Sequence, residues 1–176
     1  MRKFIFFPVV LLFIFSCNQD SKPAESTATT DTKAADMKAA YEKNLASLKE
    51  GIAAIEKEDV EAWASHIADS IVFTSPMYGD TTSTKQHWKD LLSGFFADWD
   101  SLKLVNPNFL PGVDSATHEP DGSVRYYGTW TGVHKSGKHT SFKFYGAFDF
   151  NKDAKVINAD EYFDISGVLG SVATKK

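Results

Sequence analysis

The chain has 176 residues, a formal net charge of −4 and 14% aromatic residues, enough for one domain with a substantial core. No basic cluster follows the first few residues, which argues against a nucleic-acid partner. A single cysteine excludes an internal disulfide.

The N-terminal run "MRKFIFFPVVLLFIFSCNQD" places Arg2 and Lys3 before an apolar core from Phe4 to Phe15. That core is shorter than the roughly 20 residues that span a bilayer, and it ends at small Ser16 before Cys17. Residues 1–16 therefore read as a cleaved export signal. "IFSC" resembles the lipobox of bacterial lipoproteins, which implies that Cys17 is lipidated and becomes the mature N-terminus. The expected location is the bacterial cell envelope, the outer membrane or cell surface rather than the inner membrane. Residues 17–36 hold no large apolar side chain and are expected to form a flexible tether.

Residues 37–170 read as the folded domain and 171–176 as a tail. Met37, Tyr41, Leu45, Leu48, Ile52 and Ile55 recur at helical spacing. Asp59 starts a second helix that carries Val60, Trp63 and Ile67 on one face. A strand over 70–74 stops at Pro76, which has no backbone donor. Ser83 and Gln86 have capping-box spacing ahead of a third helix with Trp88, Leu91, Leu92, Phe95 and Phe96. From residue 102 the pattern turns to strands, with a turn at Pro120-Asp121-Gly122 and hairpins at "KSGK" and "NKDA".

The two hairpins, taken as four-residue loops, place His134 opposite His139 and Phe150 opposite Lys155. One sheet face then collects Tyr127, Thr129, Thr131, Val133, Phe142, Phe144, Phe148, Phe150, Ile157, Ala159, Glu161 and Phe163, and reads as buried. The other collects Tyr126, Trp130, Tyr145 and Tyr162, an aromatic surface suited to a homodimer or another protein. Helices followed by a twisted antiparallel meander make an α+β fold.

The segments "DVEAWASHIADSIVFTSPMYG" (59–79) and "YYGTWTG", "FYGAFDF" and "EYFD" (126–164) resemble the NTF2-like superfamily and its SnoaL-like members. The resemblance implies a cone in which a curved antiparallel sheet wraps about three N-terminal helices around a pocket, often as a dimer through the sheet. It also implies a test for the steroid-isomerase branch. The general-base aspartate of that branch falls where this chain has Ser75, and its oxyanion-donating tyrosine falls near Gly51. Neither residue can do that work.

Glu161 among phenylalanines is the outlier of the buried face, and desolvation would raise its carboxyl pKa toward acid–base use. The alternative is a carboxylate satisfied by a neighbour or leaning out at the rim. His66 stands three residues after Trp63 on the second helix, so His66 and Glu161 form the candidate proton-transfer pair if the domain is an enzyme. Trp63, Tyr78, Trp88, Phe144 and Phe163 are the expected pocket walls. The histidines show no metal-ligand spacing, and no phosphate loop or dinucleotide fingerprint is present, so neither metal nor cofactor is expected. Three functions remain open: a lipid-anchored module that binds a small apolar molecule, a cyclase, dehydratase or hydrolase of the SnoaL type, and an envelope protein-interaction module.

Overall fold

The computed structural model describes residues 26–173, with side chains from residue 32 onward. The signal, Cys17 and the start of the tether lie outside the described residues. Helices α1 (Ser26–Ile55) and α2 (Val60–Ser65) precede strand β1 (Ile67–Thr74) and helix α3 (Lys85–Asp98). Strands β2 (Trp99–Val113), β3 (Pro120–His134), β4 (His139–Phe150) and β5 (Val156–Tyr162) follow, and α4 (Ile165–Val172) comes after them. The fold is the expected α+β arrangement, with helices packed in the hollow of a curved, open sheet. The strand order is β1-β5-β4-β3-β2.

Strands β2 to β5 form the antiparallel meander, but β1 joins the sheet parallel to β5. That pairing covers a sheet edge that would otherwise be free. The helix expected from Met37 begins at Ser26, so residues 26–36 are helical rather than a loose tether. Extending an existing helix needs no new nucleus, and the alanines there favour it. Lys33, on this extension, pairs with Glu119 at 2.7 Å. Deeper along α1, Asn44 is buried and donates to the Gly122 carbonyl at 2.9 Å, so the helix is pinned to β3 by a satisfied polar contact.

Two local expectations are corrected. Ser83 does not cap α3, because its Oγ accepts the Phe73 backbone N–H at 2.6 Å; Thr84 takes the cap and accepts from the His87 N–H. The turn expected at 120–122 lies earlier, where the Asp114 carboxylate accepts from the N–H groups of Ala116 and Thr117 and leaves Pro120 to begin β3. A fourth helix, not expected from the sequence, ends the domain and runs into the first two residues of the expected tail. Asp164 caps it by accepting from the Gly167 N–H, and it buries Ile165, Val168 and Val172. The Lys138 ammonium donates to the Ser171 and Ala173 carbonyls at its far end.

The sheet register explains the largest difference from expectation. The β3–β4 loop has three residues, not four: the His134 N–H donates to the Lys138 carbonyl, the Gly137 N–H to the His134 carbonyl, and Gly137 takes φ +81°. Glycine adopts that left-handed angle without strain, which permits this bulged turn. Val133 consequently faces His139, one residue off the expected pairing, and the inner and outer residues of β3 exchange. Tyr126 and Trp130 are buried inside the hollow, and Tyr127 is exposed. The β4–β5 loop is also a three-residue one, with Ala154 at φ 56°, but a register shift between Asp149 and Phe150 adds a second step. Two single steps restore the parity, so Ala159, Glu161 and Phe163 point inward as expected.

Candidate functional site

The hollow encloses a cavity of about 110 Å³ between α1, α2, α3 and the inner sheet face. Its walls are Trp63 from α2, Trp88, Leu91, Leu92 and Phe95 from α3, Tyr126 and Trp130 from β3, and Phe142 and Phe144 from β4. Glu161, Phe163 and Ile165 close the β5 side. Trp88 organises the helical wall: it stacks on Phe73 at 4.4 Å and meets Trp63 edge-on at 4.5 Å. Tyr126 stacks on Phe144 and Phe148 at 5.0 and 5.7 Å.

Ser75, Pro76 and Met77, in the loop after β1, also line the cavity, and Met77 is partly exposed, so this loop forms a rim. The loop is held by Asp80. Its carboxylate takes hydrogen bonds from the His87 ring at 2.7 Å, the Thr82 N–H at 3.0 Å and the Ser75 side chain. Those contacts, His87 first, depress the Asp80 carboxyl to about 2. Serine, aspartate and histidine meet here, yet the histidine engages the aspartate and leaves Ser75 without a base. Nucleophilic catalysis by Ser75 is not built.

Glu161 sits in a row across the sheet. Tyr126 pairs with Gly146, and Gly146 pairs with Glu161. Glycine leaves the middle of that row to the Phe148 and Phe144 rings. A Cβ there would come within 2.5 Å of the Phe148 ring and 2.8 Å of Phe144. Gly146→Ala therefore forces these two rings out of their stack with Tyr126. A loss of about 1–3 kcal/mol is expected, read as a lower midpoint in denaturant unfolding.

No described residue donates a hydrogen bond to the Glu161 carboxylate, and no buried polar side-chain atom lacks a partner among the described residues. Its oxygens therefore keep some accessible surface, and the residue lines both cavities, which reconciles a side chain of intermediate surface with strong desolvation. That desolvation raises its carboxyl to about 8. The Tyr126 hydroxyl accepts a long hydrogen bond from the Trp130 indole N–H at 3.4 Å. Burial first, and the Glu161 charge second, push the Tyr126 phenol up, while the Trp130 contact opposes them.

The expected site residues divide. Trp63, Trp88, Phe144, Phe163 and Glu161 share the cavity. Tyr78 does not: it stands fully exposed at the tip of the rim loop, turned away by the bend that follows Pro76. His66 lies at the end of α2 on a second cavity of about 30 Å³, which Glu161, Trp63, Trp88 and Tyr126 also line. The His66 Nδ1 is 3.0 Å from the Ser47 hydroxyl, and its Nε2 is 3.9 Å from the Glu50 carboxylate. His66 and Glu161 thus share the smaller space, and of the two only Glu161 reaches the larger one. Of the expected outer aromatic surface, Tyr126 and Trp130 belong to the interior for the register reason above. The outer row is instead Tyr127, Tyr145 and Tyr162, paired across three strands.

Tyr126 and Trp130 are the walls that sequence reasoning missed. The signal was the alternation Tyr126, Gly128, Trp130, Gly132. A Cβ on Gly128 would meet Leu104 at 2.9 Å and one on Gly132 would meet Leu102 at 2.8 Å. Glycines at alternate positions of a strand mark the face where something packs closely.

No protein-family profile matches the sequence, and no curated protein matches it. Solved structures do. A candidate polyketide cyclase from Xanthomonas campestris pv. campestris superposes with a TM-score of 0.62 at 12% identity, covering 76% of this chain and 99% of its own. An NTF2-like protein of unknown function from Burkholderia pseudomallei gives 0.59 at 14%, covering 75% and 98%. A hypothetical protein with a ketosteroid isomerase-like fold from Catenulispora acidiphila, solved with trimethylamine, gives 0.57 at 12%, covering 70% and 89%. The chain has the NTF2-like fold. Likeness at such identities carries the architecture and not the activity.

Proposed function

We propose that this chain is a lipid-anchored, NTF2-like binding module that holds a small, largely apolar molecule in its main cavity. The observation that carries the reading is the cavity lining, in which aromatic and aliphatic side chains surround one unpartnered acid. Such a composition suits a pocket that desolvates a ligand and orients it by a single polar contact. Anchoring through Cys17 rests on the N-terminal sequence alone. The trimethylamine held by the protein from Catenulispora acidiphila is an example of a small, methyl-rich molecule bound by this fold.

The test is an NMR titration of the protein with apolar probes small enough for the cavity, such as isobutane or cyclopentane. Binding should shift the indole N–H signals of Trp63, Trp88 and Trp130 together. Leu92→Trp, which fills the cavity, should abolish the shifts while leaving the fold intact. Unchanged indole signals at saturating probe would overturn the reading.

A second reading draws on one observation, a carboxyl poised near 8 inside an apolar cavity, which suits proton transfer in a SnoaL-type reaction. In that reading Glu161 acts without His66, which does not reach the main cavity.

A further inference from the structure

Among the described residues, the main cavity holds one charge-bearing side chain, Glu161, and no lysine, arginine or histidine lines it. A carboxylate ionised there has no internal counter-ion and no hydrogen-bond donor. The wall holds no cation, and none of its donors is bonded to the carboxylate. The remaining polar groups are uncharged: the Ser75 hydroxyl, already given to Asp80, the Tyr126 phenol, which accepts from the Trp130 indole, and the Trp63 and Trp88 indoles. The rest of the wall is largely aromatic, with Trp63, Trp88, Phe142, Phe144 and Phe163 around the space.

These features fit one chemical class. An anion would be repelled by Glu161, and a sugar or amide would find too few partners for its polar groups. A primary ammonium would leave N–H groups unsatisfied. An alkylated ammonium brings the missing positive charge, few or no N–H groups, and methyl groups that pack on aromatic rings, which attract cations electrostatically. The size agrees. An apolar cavity of about 150 Å³ takes a benzene, so about 110 Å³ takes a group of roughly four or five heavy atoms.

We infer that the main cavity is a receptor for a small alkylated ammonium group of the trimethylammonium type, with Glu161 as its counter-ion and the aromatic wall as its cage. The inference rests on the binding reading above and sharpens its ligand. The group could arrive on a free molecule or on a lipid headgroup, and the chemistry at Glu161 is the same.

The test compares choline with its neutral carbon isostere, 3,3-dimethylbutan-1-ol, by calorimetric titration of the full-length protein in a maltoside detergent. Short-chain phosphatidylcholine forms a third arm that separates the two sources. Choline, the phosphatidylcholine or both should bind at least about tenfold more tightly than the alcohol near pH 9. Glu161→Gln should erase the difference while the alcohol still binds. Lowering the pH to about 6.5 should weaken cation binding by at least about tenfold, because the cation must then displace the Glu161 proton. Tyr126 from β3 and His66 at the end of α2 are the other titratable groups lining the two spaces that Glu161 reaches. A charged His66 would act in the same direction, so a flat pH profile in Glu161→Gln assigns the effect to Glu161. Equal affinity for choline and the alcohol overturns the inference and leaves the binding reading standing. Failure of every probe to bind overturns both.

Discussion

Glu161→Gln should stabilise the protein at alkaline pH and flatten its stability profile between about pH 5 and pH 8. In the unfolded chain the carboxyl titrates at its ordinary value of 4.5, and in the folded protein at about 8. Between those values the folded state binds a proton that the unfolded state has released, so stability falls as pH rises. The contribution is fully favourable below about 4.5, declines through the window and levels off above about 8. A gap of that width corresponds to on the order of 5 kcal/mol. The amide introduced by Glu161→Gln cannot ionise, so the variant should lose this slope and exceed the native protein by most of that amount near pH 9. Asp149, also raised by burial, pulls in the same direction and remains in the variant. Asp80, held at about 2, loses its contribution only in strong acid, below this window. Urea unfolding at a series of pH values reads the effect directly. An unchanged slope in Glu161→Gln would mean that the carboxylate is solvated and that the cavity is open to bulk water.

This sensitivity follows from a device that could be read only partly from the chain. The alternation of β5 identified Glu161 as a lone acid on an apolar face, and that held because the two steps in the β4–β5 connection cancel. The same reasoning reversed β3, because one glycine at positive φ shortened the first hairpin loop by a residue. Period-two patterns leave that choice open when both faces carry aromatics, as they do with Tyr126 and Tyr127 side by side. Tyr78 illustrates a different limit. It follows a proline in an exposed loop, where no periodicity assigns direction, and the tight Asp80–His87 contact that shapes the loop joins it to a residue on α3. The fourth helix was hidden for a third reason. Gly167 and Gly170 lower its intrinsic preference, and its formation depends on burying Ile165, Val168 and Val172.

Trp88→Ala should be the most damaging single truncation in the domain. The ring is buried, stacked on Phe73 and edge-on to Trp63, and it forms part of the wall of both cavities. Removing it deletes a large apolar surface and leaves a void that the rigid rings around it cannot collapse to fill. Truncations of this kind cost about 3–5 kcal/mol, which for a chain of this length is a fall in Tm of roughly 10 °C. The functional consequence is distinct from the loss of stability. With the indole gone, the two cavities become one apolar space that reaches from the rim loop to His66, and added indole should bind there. Indole should therefore raise the Tm of Trp88→Ala and leave the native protein unchanged. A variant that loses less than about 1 kcal/mol, or that ignores indole, would show that Trp88 is not the partition between the two spaces.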